Sequence, residues 1–141
     1  MIEAVLDTSV AVAWYLQESF SPEAREWQKR LLDGRARLLV PSLHYSEFGN
    51  VLRTYVRRKL ISADTALELY ALHLEAPLEV VEPSPAGLLE CALEYDVTTY
   101  DAMYIRLSLD QQAALITAER STTPWVKKLG ELAIRLGRRA S

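Results

Sequence analysis

The sequence predicts an α/β fold, in which a five-stranded parallel sheet is sandwiched between helices in three layers. Five short apolar runs are separated by longer stretches of helical periodicity. Strands that alternate with helices in this way are typical of a parallel sheet covered on both faces. The chain of 141 residues is long enough to bury a core as one domain, for which we expect residues 1–136. Residues 137–141 are expected to form a flexible tail.

The apolar runs give the predicted strands, and capping signals give the predicted helices. The strands are residues 2–6, 37–40, 78–81, 113–117 and 132–136. Serine or threonine, in two places followed by proline, stands at the expected helix starts, where such residues suit the free backbone amides. The helices are residues 8–17, 21–34, 43–59, 62–75, 84–95 and 98–110, and one that starts within 121–124.

Composition and charge limit the classes of function. Half of the residues are apolar and a quarter are charged, which is typical of a globular protein. The net charge of −3 gives no global attraction to nucleic acid, so phosphate binding would need a local basic face or a metal. The single cysteine, Cys91, cannot form an internal disulfide and is expected in the core. The longest apolar run is far shorter than the ~20 residues that cross a bilayer. With no basic start typical of a signal peptide, we expect a cytoplasmic protein without membrane attachment.

Two acidic residues stand at the carboxyl ends of predicted strands. Asp7 follows the first strand, and Glu119 follows the fourth after one further residue. Ligands of open parallel sheets bind outside the carboxyl ends of the strands, so both acids are well placed for a metal. Each has an alternative role: Asp7 as a helix cap, and Glu119 as an exposed loop acid beside Arg120.

Two further acids belong to predicted helices. Glu47 lies within the apolar stripe that includes Val51, where a carboxylate needs a partner, although at the edge of the stripe it could reach solvent or Arg58. Asp101 opens another helix. It has the capping-box spacing from Thr98, which gives it an alternative structural role.

Taken together, the four carboxylates indicate a divalent cation. Buried carboxylates are costly unless they are paired, protonated or bound to a metal. Hard oxygen ligands suit Mg²⁺ or Mn²⁺, and the chain lacks the Cys/His cluster of structural zinc. His44 and His73 lie on different predicted helices without ligand spacing, and we expect each to be an ordinary polar or interfacial residue. This set of side chains is typical of metal-assisted phosphoryl chemistry.

The ordered set of motifs resembles the PIN-domain proteins of the VapC type, the ribonuclease toxins of toxin–antitoxin pairs. The first strand with its acid, the helix with the second acid, the Thr-Thr-Tyr-Asp-Ala-Met-Tyr motif with the third and the strand before the fourth all match in order and spacing. These segments are residues 5–9, 41–52, 98–104 and 114–120. One departure is Glu119, where the family usually has aspartate.

The resemblance implies a fold, an activity and partners. The fold would be a five-stranded parallel sheet with an acidic pocket at the carboxyl ends of its strands. The activity would be endonucleolytic cleavage of RNA that depends on Mg²⁺ or Mn²⁺, and the partners an antitoxin and a second copy of the chain. Asp7 and Asp101 would be the principal metal ligands, Glu47 would complete the acidic shell, and Glu119 would be the fourth acid of the site. Ser9 and Thr117 would support that shell by hydrogen bonds.

One basic face is a candidate for substrate binding. Arg53, Arg57 and Arg58 follow Glu47 on the same predicted helix, and with Ser9 they are the predicted substrate-binding residues. Arg106 and Arg120 could add to this face. Its alternative role is a solvated helix surface.

Two other functions compete with the ribonuclease. The first is a PIN-fold protein with weak or no catalysis that serves as an RNA- or protein-binding component, an alternative that Glu119 raises. The second is a phosphoaspartyl enzyme or receiver domain that uses Asp7. The phosphotransferase pattern needs an acid two residues after the nucleophile, and that position is Ser9.

Overall fold

Five parallel strands form one sheet in a computed structural model that describes residues 1–119 and 123–136. The strands are β1 (Ile2–Leu6), β2 (Ala36–Val40), β3 (Glu79–Val80), β4 (Ala114–Thr117) and β5 (Ala133–Arg135). Their order across the sheet is β3-β2-β1-β4-β5, and every neighbouring pair is parallel. The predicted fold class is confirmed. The third strand is shorter than predicted, since only two residues pair at that edge of the sheet.

Helices connect the strands and cover both faces of the sheet. Within the described residues they are α1 (Thr8–Tyr15), α2 (Ser21–Leu32), α3 (Leu43–Arg57), α4 (Ala63–Glu75), α5 (Leu88–Tyr95), α6 (Thr99–Gln111) and α7 (Pro124–Leu129). Single 3₁₀ turns, Pro85–Gly87 and Gly130–Leu132, precede α5 and β5. Part of the expected start of α7, Arg120 and the expected tail at 137–141 lie outside the described residues.

Several predicted helix ends were too late, and the backbone shows why. The helix predicted for 8–17 ends at Tyr15 because Leu16 is extended (φ −115°, ψ 137°). The helix predicted for 43–59 ends at Arg57, and Lys59 then takes a left-handed conformation (φ 59°) that stops further helical turns. The helix predicted for 21–34 ends at Leu32, and Gly34 supplies a positive φ in the following turn.

The core lies on both faces of the sheet. Ala4 and Leu6 of β1 pack into a cluster with residues of α1, α2 and α3, whereas Val5 between them packs into a second cluster with α5 and α6. Successive side chains of a strand point to opposite faces, so a strand buried on both faces reads as a continuous apolar run. This packing gives the three layers, helix, sheet and helix, that the sequence predicted.

The topology brings distant segments to one edge of the sheet. The chain moves outward from β1 to β2 and β3, and then returns to place β4 on the other side of β1. Strand order therefore reverses between β1 and β4, where open sheets of this kind bind ligands. Because α3 follows β2, it starts at the carboxyl edge. Because α6 precedes β4, its first turn lies at the same edge.

No helix in the described part of the chain is both long and apolar enough to cross a membrane.

Candidate active site

Three of the four predicted acids line one cavity at the carboxyl edge of the sheet. This cavity, the acidic pocket, has a volume of about 120 Å³. Asp7 comes from the end of β1, Asp101 from the first turn of α6 and Glu119 from the segment after β4. The remaining lining residues are Ser9, Tyr104, Ile105, Leu115 and Trp125.

Asp7 is held by two hydroxyl groups. Thr117 Oγ1 donates a hydrogen bond to Asp7 Oδ2 at 2.8 Å, and Ser9 Oγ donates to the same oxygen at 3.1 Å. The backbone amide of Asp7 donates to the carbonyl of Ile116 (3.0 Å), which fixes the end of β1 against β4. Asp7 occupies the N-cap position of α1, but its side chain makes no capping hydrogen bond. Its carboxylate is therefore directed to the pocket and not to the helix.

The surroundings of Asp7 disfavour its negative charge. Burial raises the pKa of Asp7 to about 6, and the nearby charges of Glu47 and Asp101 act in the same direction. The hydrogen bonds from Thr117 and Ser9 oppose this shift. A carboxylate kept ionised at neutral pH in such a place is suited to a positively charged ligand.

Glu47 lies on α3 beside the acidic pocket and has its own polar partners. Tyr104 donates its hydroxyl hydrogen to Glu47 Oε1 (2.6 Å), and Thr8 Oγ1 donates to the same oxygen at 3.0 Å. With Asp101, Glu47 lines a neighbouring cavity of about 600 Å³ between α3 and α6. Asp101 thus lies at the border of both cavities and links Glu47 to the other acids.

Asp101 combines a structural position with an exposed carboxylate. Its backbone amide donates to Thr98 Oγ1 (3.1 Å), and Thr98 is the N-cap of α6. Partial desolvation at the pocket wall raises the pKa of Asp101, and a hydrogen bond with Thr98 lowers it in part. The alternative suggested by the sequence, a place in the capping turn, is therefore real, and it coexists with a place on the pocket wall.

Glu119 lies at the rim of the acidic pocket. Its backbone amide donates to Thr117 Oγ1 (3.1 Å), and its Oε2 accepts a long hydrogen bond from Thr123 (3.4 Å). The side chain is exposed and also lines an open groove of about 410 Å³ between α1 and α3. Of the four acids, Glu119 is thus the one whose carboxylate the fold orients least.

The predicted substrate-binding residues are spread over different surfaces. Ser9 lines the acidic pocket, where it donates to Asp7. Arg53 lines a mostly apolar groove between α3 and α4. Arg57 and Arg58 are exposed at the end of α3. None of the three arginines lines the acidic pocket or the cavity beside Glu47.

Sequence reasoning missed the residues that hold Glu47. Thr8 follows Asp7 directly, and Tyr104 comes three residues after Asp101 on one helical face, so proximity to the motifs was the available signal. His44 and His73 were expected to be ordinary polar or interfacial residues, and the sequence did not predict that they touch each other between α3 and α4. Both side chains are fully buried, and their Nε2 atoms lie 2.9 Å apart.

Burial keeps the two histidines neutral. It lowers the pKa of His44 to about 3, with the positive charge of His73 acting in the same direction, and the pKa of His73 to about 4. At neutral pH each ring therefore carries one ring hydrogen, which can lie on either nitrogen.

The donor set suits a hydrated divalent cation better than a tightly enclosed one. In residues 1–119 and 123–136, no three His, Cys, Asp or Glu side chains are close enough to form a metal cluster. Mg²⁺ commonly keeps several waters and uses only one or two protein carboxylates. The carboxylates around the acidic pocket offer hard oxygen donors of this kind, so the residues fit such an ion.

The sequence matches the model of the PIN domain over residues 4–122. The chain belongs to the PIN-domain family. PIN domains are generally nucleases, and the acids described above occupy the positions on which the resemblance in the sequence depended. Comparison with curated protein sequences found no match.

Two solved structures share the fold of this PIN domain. PAE2754 from Pyrobaculum aerophilum is similar with a TM-score of 0.69 and 23% identity, over 95% of this chain and 90% of that one. VapBC2 from Rickettsia felis, solved with a DNA fragment from its promoter, is similar with a TM-score of 0.64 and 16% identity, over 96% of this chain and 99% of the other. At these identities the two likenesses establish the fold.

Proposed function

We propose that this PIN-domain protein is an endoribonuclease that depends on Mg²⁺ or Mn²⁺. The observation that carries the proposal is the acidic pocket, where Asp7, Asp101 and Glu119 come together from three separate segments of a PIN fold. The raised pKa of Asp7 supports it, since a cation would offset the cost of ionising that carboxylate.

Each residue has a separate task in the proposed reaction. Asp7 and Asp101 would hold the cation directly, and Glu47 and Glu119 would contact it through water. A bound divalent cation would supply a polarised phosphodiester and a more acidic attacking water. Thr117, Ser9, Thr8 and Tyr104 would keep the inner carboxylates in place. RNA as the substrate follows from the resemblance to VapC-type proteins.

The proposal includes a toxin role with an antitoxin partner, and a homodimer. Its support is the VapC-type pattern of motifs and the shared fold with VapBC2, which was solved as a complex. The open groove of about 410 Å³ beside Glu119 gives a partner segment access to the rim of the pocket.

The direct test is cleavage of RNA by the purified protein. We expect cleavage with Mg²⁺ or Mn²⁺, none with EDTA, and loss of activity in Asp101→Asn. Asp64→Asn is the matched control, because Asp64 is an exposed aspartate in the first turn of α4, as Asp101 is in α6. Equal loss in both variants would assign the effect to the helix end and not to the pocket.

A second candidate is a PIN-fold protein with weak or no catalysis that acts as a binding component. Two observations favour it: no three-residue metal cluster forms among the described residues, and Glu119 is exposed where the family usually has aspartate. Absence of cleavage by both wild type and Glu119→Asp, on several RNAs and with both metals, would decide for this candidate.

A further inference from the structure

A continuous series of buried and partly buried polar side chains runs from Glu47, beside the acidic pocket, into the core. Glu47 is bonded by Thr8 and Tyr104, and Thr8 Oγ1 lies 3.2 Å from His44 Nδ1. His44 Nε2 lies 2.9 Å from His73 Nε2, and His73 Nδ1 lies 2.8 Å from the hydroxyl of Tyr15. We call this series the histidine chain; it consists of Tyr15, His73, His44, Thr8, Tyr104 and Glu47.

Counting hydrogens gives the histidine chain one favoured direction. As a carboxylate, Glu47 can only accept, so the hydroxyls of Thr8 and Tyr104 direct their hydrogens to it. Thr8 Oγ1 lies 3.0 Å from Glu47 Oε1 and 2.7 Å from the Tyr104 hydroxyl. The single hydrogen of Thr8 therefore points to the side of these two oxygens, away from His44. Toward His44, Thr8 then offers a lone pair. His44 Nδ1 also lies 3.4 Å from the Tyr104 hydroxyl, whose hydrogen is directed to Glu47, so His44 Nδ1 carries the ring hydrogen on this side.

The same count fixes the second histidine. A neutral His44 with its hydrogen on Nδ1 has a bare Nε2, which accepts from His73 Nε2–H. His73 Nδ1 is then bare and accepts from the Tyr15 hydroxyl, whose pKa burial raises to about 12, so that it stays a donor. In the reversed direction, Thr8 gives its hydrogen to His44. Thr8, Tyr104 and Glu47 then have only the hydrogen of Tyr104 for the contacts between their oxygen atoms, so the contact between Thr8 and Glu47 lacks a hydrogen.

We propose that His44 and His73 are positioning residues for Glu47, and that the histidine chain donates from Tyr15 toward that carboxylate. This inference rests on the proposed function of Glu47 in the acid site. Neither ring lines the acidic pocket; His44 acts through Thr8 and Tyr104, and His73 acts through His44. A directed series of this kind polarises each following bond, which strengthens the two hydrogen bonds that hold Oε1.

The burial of the two imidazole rings supports the proposal that they hold Glu47 in position. His73 packs its ring face on Phe48, with ring centroids 4.2 Å apart, and both imidazoles are fully buried. The packing fixes ring orientation, and the bonds at both nitrogens fix the tautomer. An orienting partner behind a ligand is commonly worth as much as roughly 10- to 100-fold in metal affinity or activity.

The first test measures the tautomers directly by NMR. The chain has two histidines, so a sample labelled with ¹⁵N-histidine gives two ring systems, which His73→Gln assigns. Long-range ¹H–¹⁵N correlations at neutral pH should show His44 protonated at Nδ1 and His73 protonated at Nε2. The opposite pattern, His44 at Nε2 and His73 at Nδ1, would overturn the proposal. This measurement needs neither metal nor RNA, so it stands even if the protein proves not to be a nuclease.

The second test separates hydrogen bonding from packing. In His44→Asn the side-chain amide can replace the Nδ1–H donor to Thr8, whereas His44→Leu fills space without a donor. We expect His44→Leu to lower kcat for RNA cleavage by roughly 10- to 100-fold with unchanged KM, and His44→Asn to recover most of that rate. Tyr45→Phe is the control, since Tyr45 contacts both imidazole rings, with centroids 5.5 and 5.9 Å away, outside the histidine chain. Its rate should equal that of wild type.

Equal rates in His44→Leu and His44→Asn, whether both normal or both low, would overturn the positioning role. If His44→Leu does not give a cooperative unfolding transition, the same comparison is made with His73→Leu and His73→Gln, where the amide of glutamine replaces the Nε2–H donor to His44. If wild type itself cleaves no RNA, the proposed function fails and the tautomer pattern alone decides on the histidine chain.

Discussion

The four acids of the site form two pairs, the inner acids Asp7 and Glu47 and the outer acids Asp101 and Glu119, which differ in whether the fold fixes the carboxylate or only the backbone. Asp7 accepts hydrogen bonds from Thr117 and Ser9 on one carboxylate oxygen. Glu47 accepts hydrogen bonds from Tyr104 and Thr8 in the same way. Asp101 and Glu119 are instead held at the backbone, where their amides donate to Thr98 and Thr117. The inner carboxylates therefore have fixed orientations, while the outer ones have fixed positions and exposed side chains.

This difference separates two requirements of a cation site. Fixed inner carboxylates reduce the reorganisation needed when a ligand binds, and exposed outer ones can adjust to waters around it. The inner arrangement has a cost, because Asp7 is desolvated and lies close to two further carboxylates. The comparison predicts that changes to the inner acids have large effects and that changes to Glu119, at the rim of the pocket, have small ones.

The largest expected effect is the loss of cleavage in Asp7→Asn. The substitution keeps the shape and removes the charge of a proposed direct ligand. Loss of a residue that only hydrogen-bonds to a metal ligand commonly lowers activity by roughly 10- to 100-fold, and we expect the rate of Asp7→Asn to fall by more than that. Single-turnover cleavage of RNA with saturating Mn²⁺ measures it. A fall of the same size in Glu119→Gln would contradict the division into inner and outer acids.

The next largest effect is on stability: Asp7→Asn, which should lower activity, should make the metal-free protein more stable. The folded protein holds the Asp7 proton up to about pH 6, whereas the unfolded chain releases it near 3.8. Between these values the folded state binds more protons, so stability without metal falls as pH rises. At about pH 7.5 in EDTA, Asp7→Asn should be more stable than wild type by up to about 3 kcal/mol.

Urea unfolding at two pH values checks this prediction. Below about pH 3 the Asp7 carboxyl is largely protonated in both states, so the advantage of the variant should largely disappear there. Asp64→Asn, which changes an exposed aspartate, should show no comparable dependence on pH. Equal stability of wild type and Asp7→Asn at about pH 7.5 would mean that the site accommodates the charge without a cation.

The sequence predicted the sheet and the places of the acids because both follow from local patterns. Apolar runs, capping residues and the position of Asp7 and Glu119 after strands can be read without knowing the tertiary structure. The helix ends were less predictable, since Leu16 and Lys59 stop their helices through backbone conformations that composition does not show. Burial of strands on both faces explains why the fold class was the most reliable prediction.

The partners of Glu47 could not be predicted in the same way. Thr8, His44 and Tyr104 lie on three helices that meet only when α1, α3 and α6 pack around the end of β1. Each residue is separately compatible with an ordinary role, and the sequence offers no spacing rule for contacts between helices. Only the packed structure shows that the two histidines touch.

A smaller effect is expected from shortening Glu119. The carboxylate is exposed and bonds Thr123 only at 3.4 Å, so water can fill the space that the lost methylene leaves. Glu119→Asp should change kcat by less than roughly tenfold in either direction. Metal titrations of the rate in both proteins measure it. A larger fall would place Glu119 among the fixed ligands, and a larger rise would identify glutamate as an impaired ligand at this position.

The smallest expected effect concerns the proposed basic face, where Arg58 and Arg53 provide a comparison within one chain segment. Arg58 caps α3 eleven residues after Glu47, about three helical turns, and so continues the face that carries that acid. Arg53 lies on another side of α3, in the groove against α4. An RNA strand that leaves the acidic pocket along the Glu47 face can meet Arg58 and not Arg53.

Loss of one phosphate contact to single-stranded RNA should lower the slope of log Kd against log salt by roughly 0.7. We therefore expect this reduction in Arg58→Ala and no change in Arg53→Ala, measured without metal in the Asp101→Asn background so that cleavage cannot interfere. Equal reductions in both variants would indicate general electrostatic attraction, because both remove the same charge. An unchanged slope in the triple alanine variant of Arg53, Arg57 and Arg58 would mean that these arginines form a solvated helix surface and do not bind RNA.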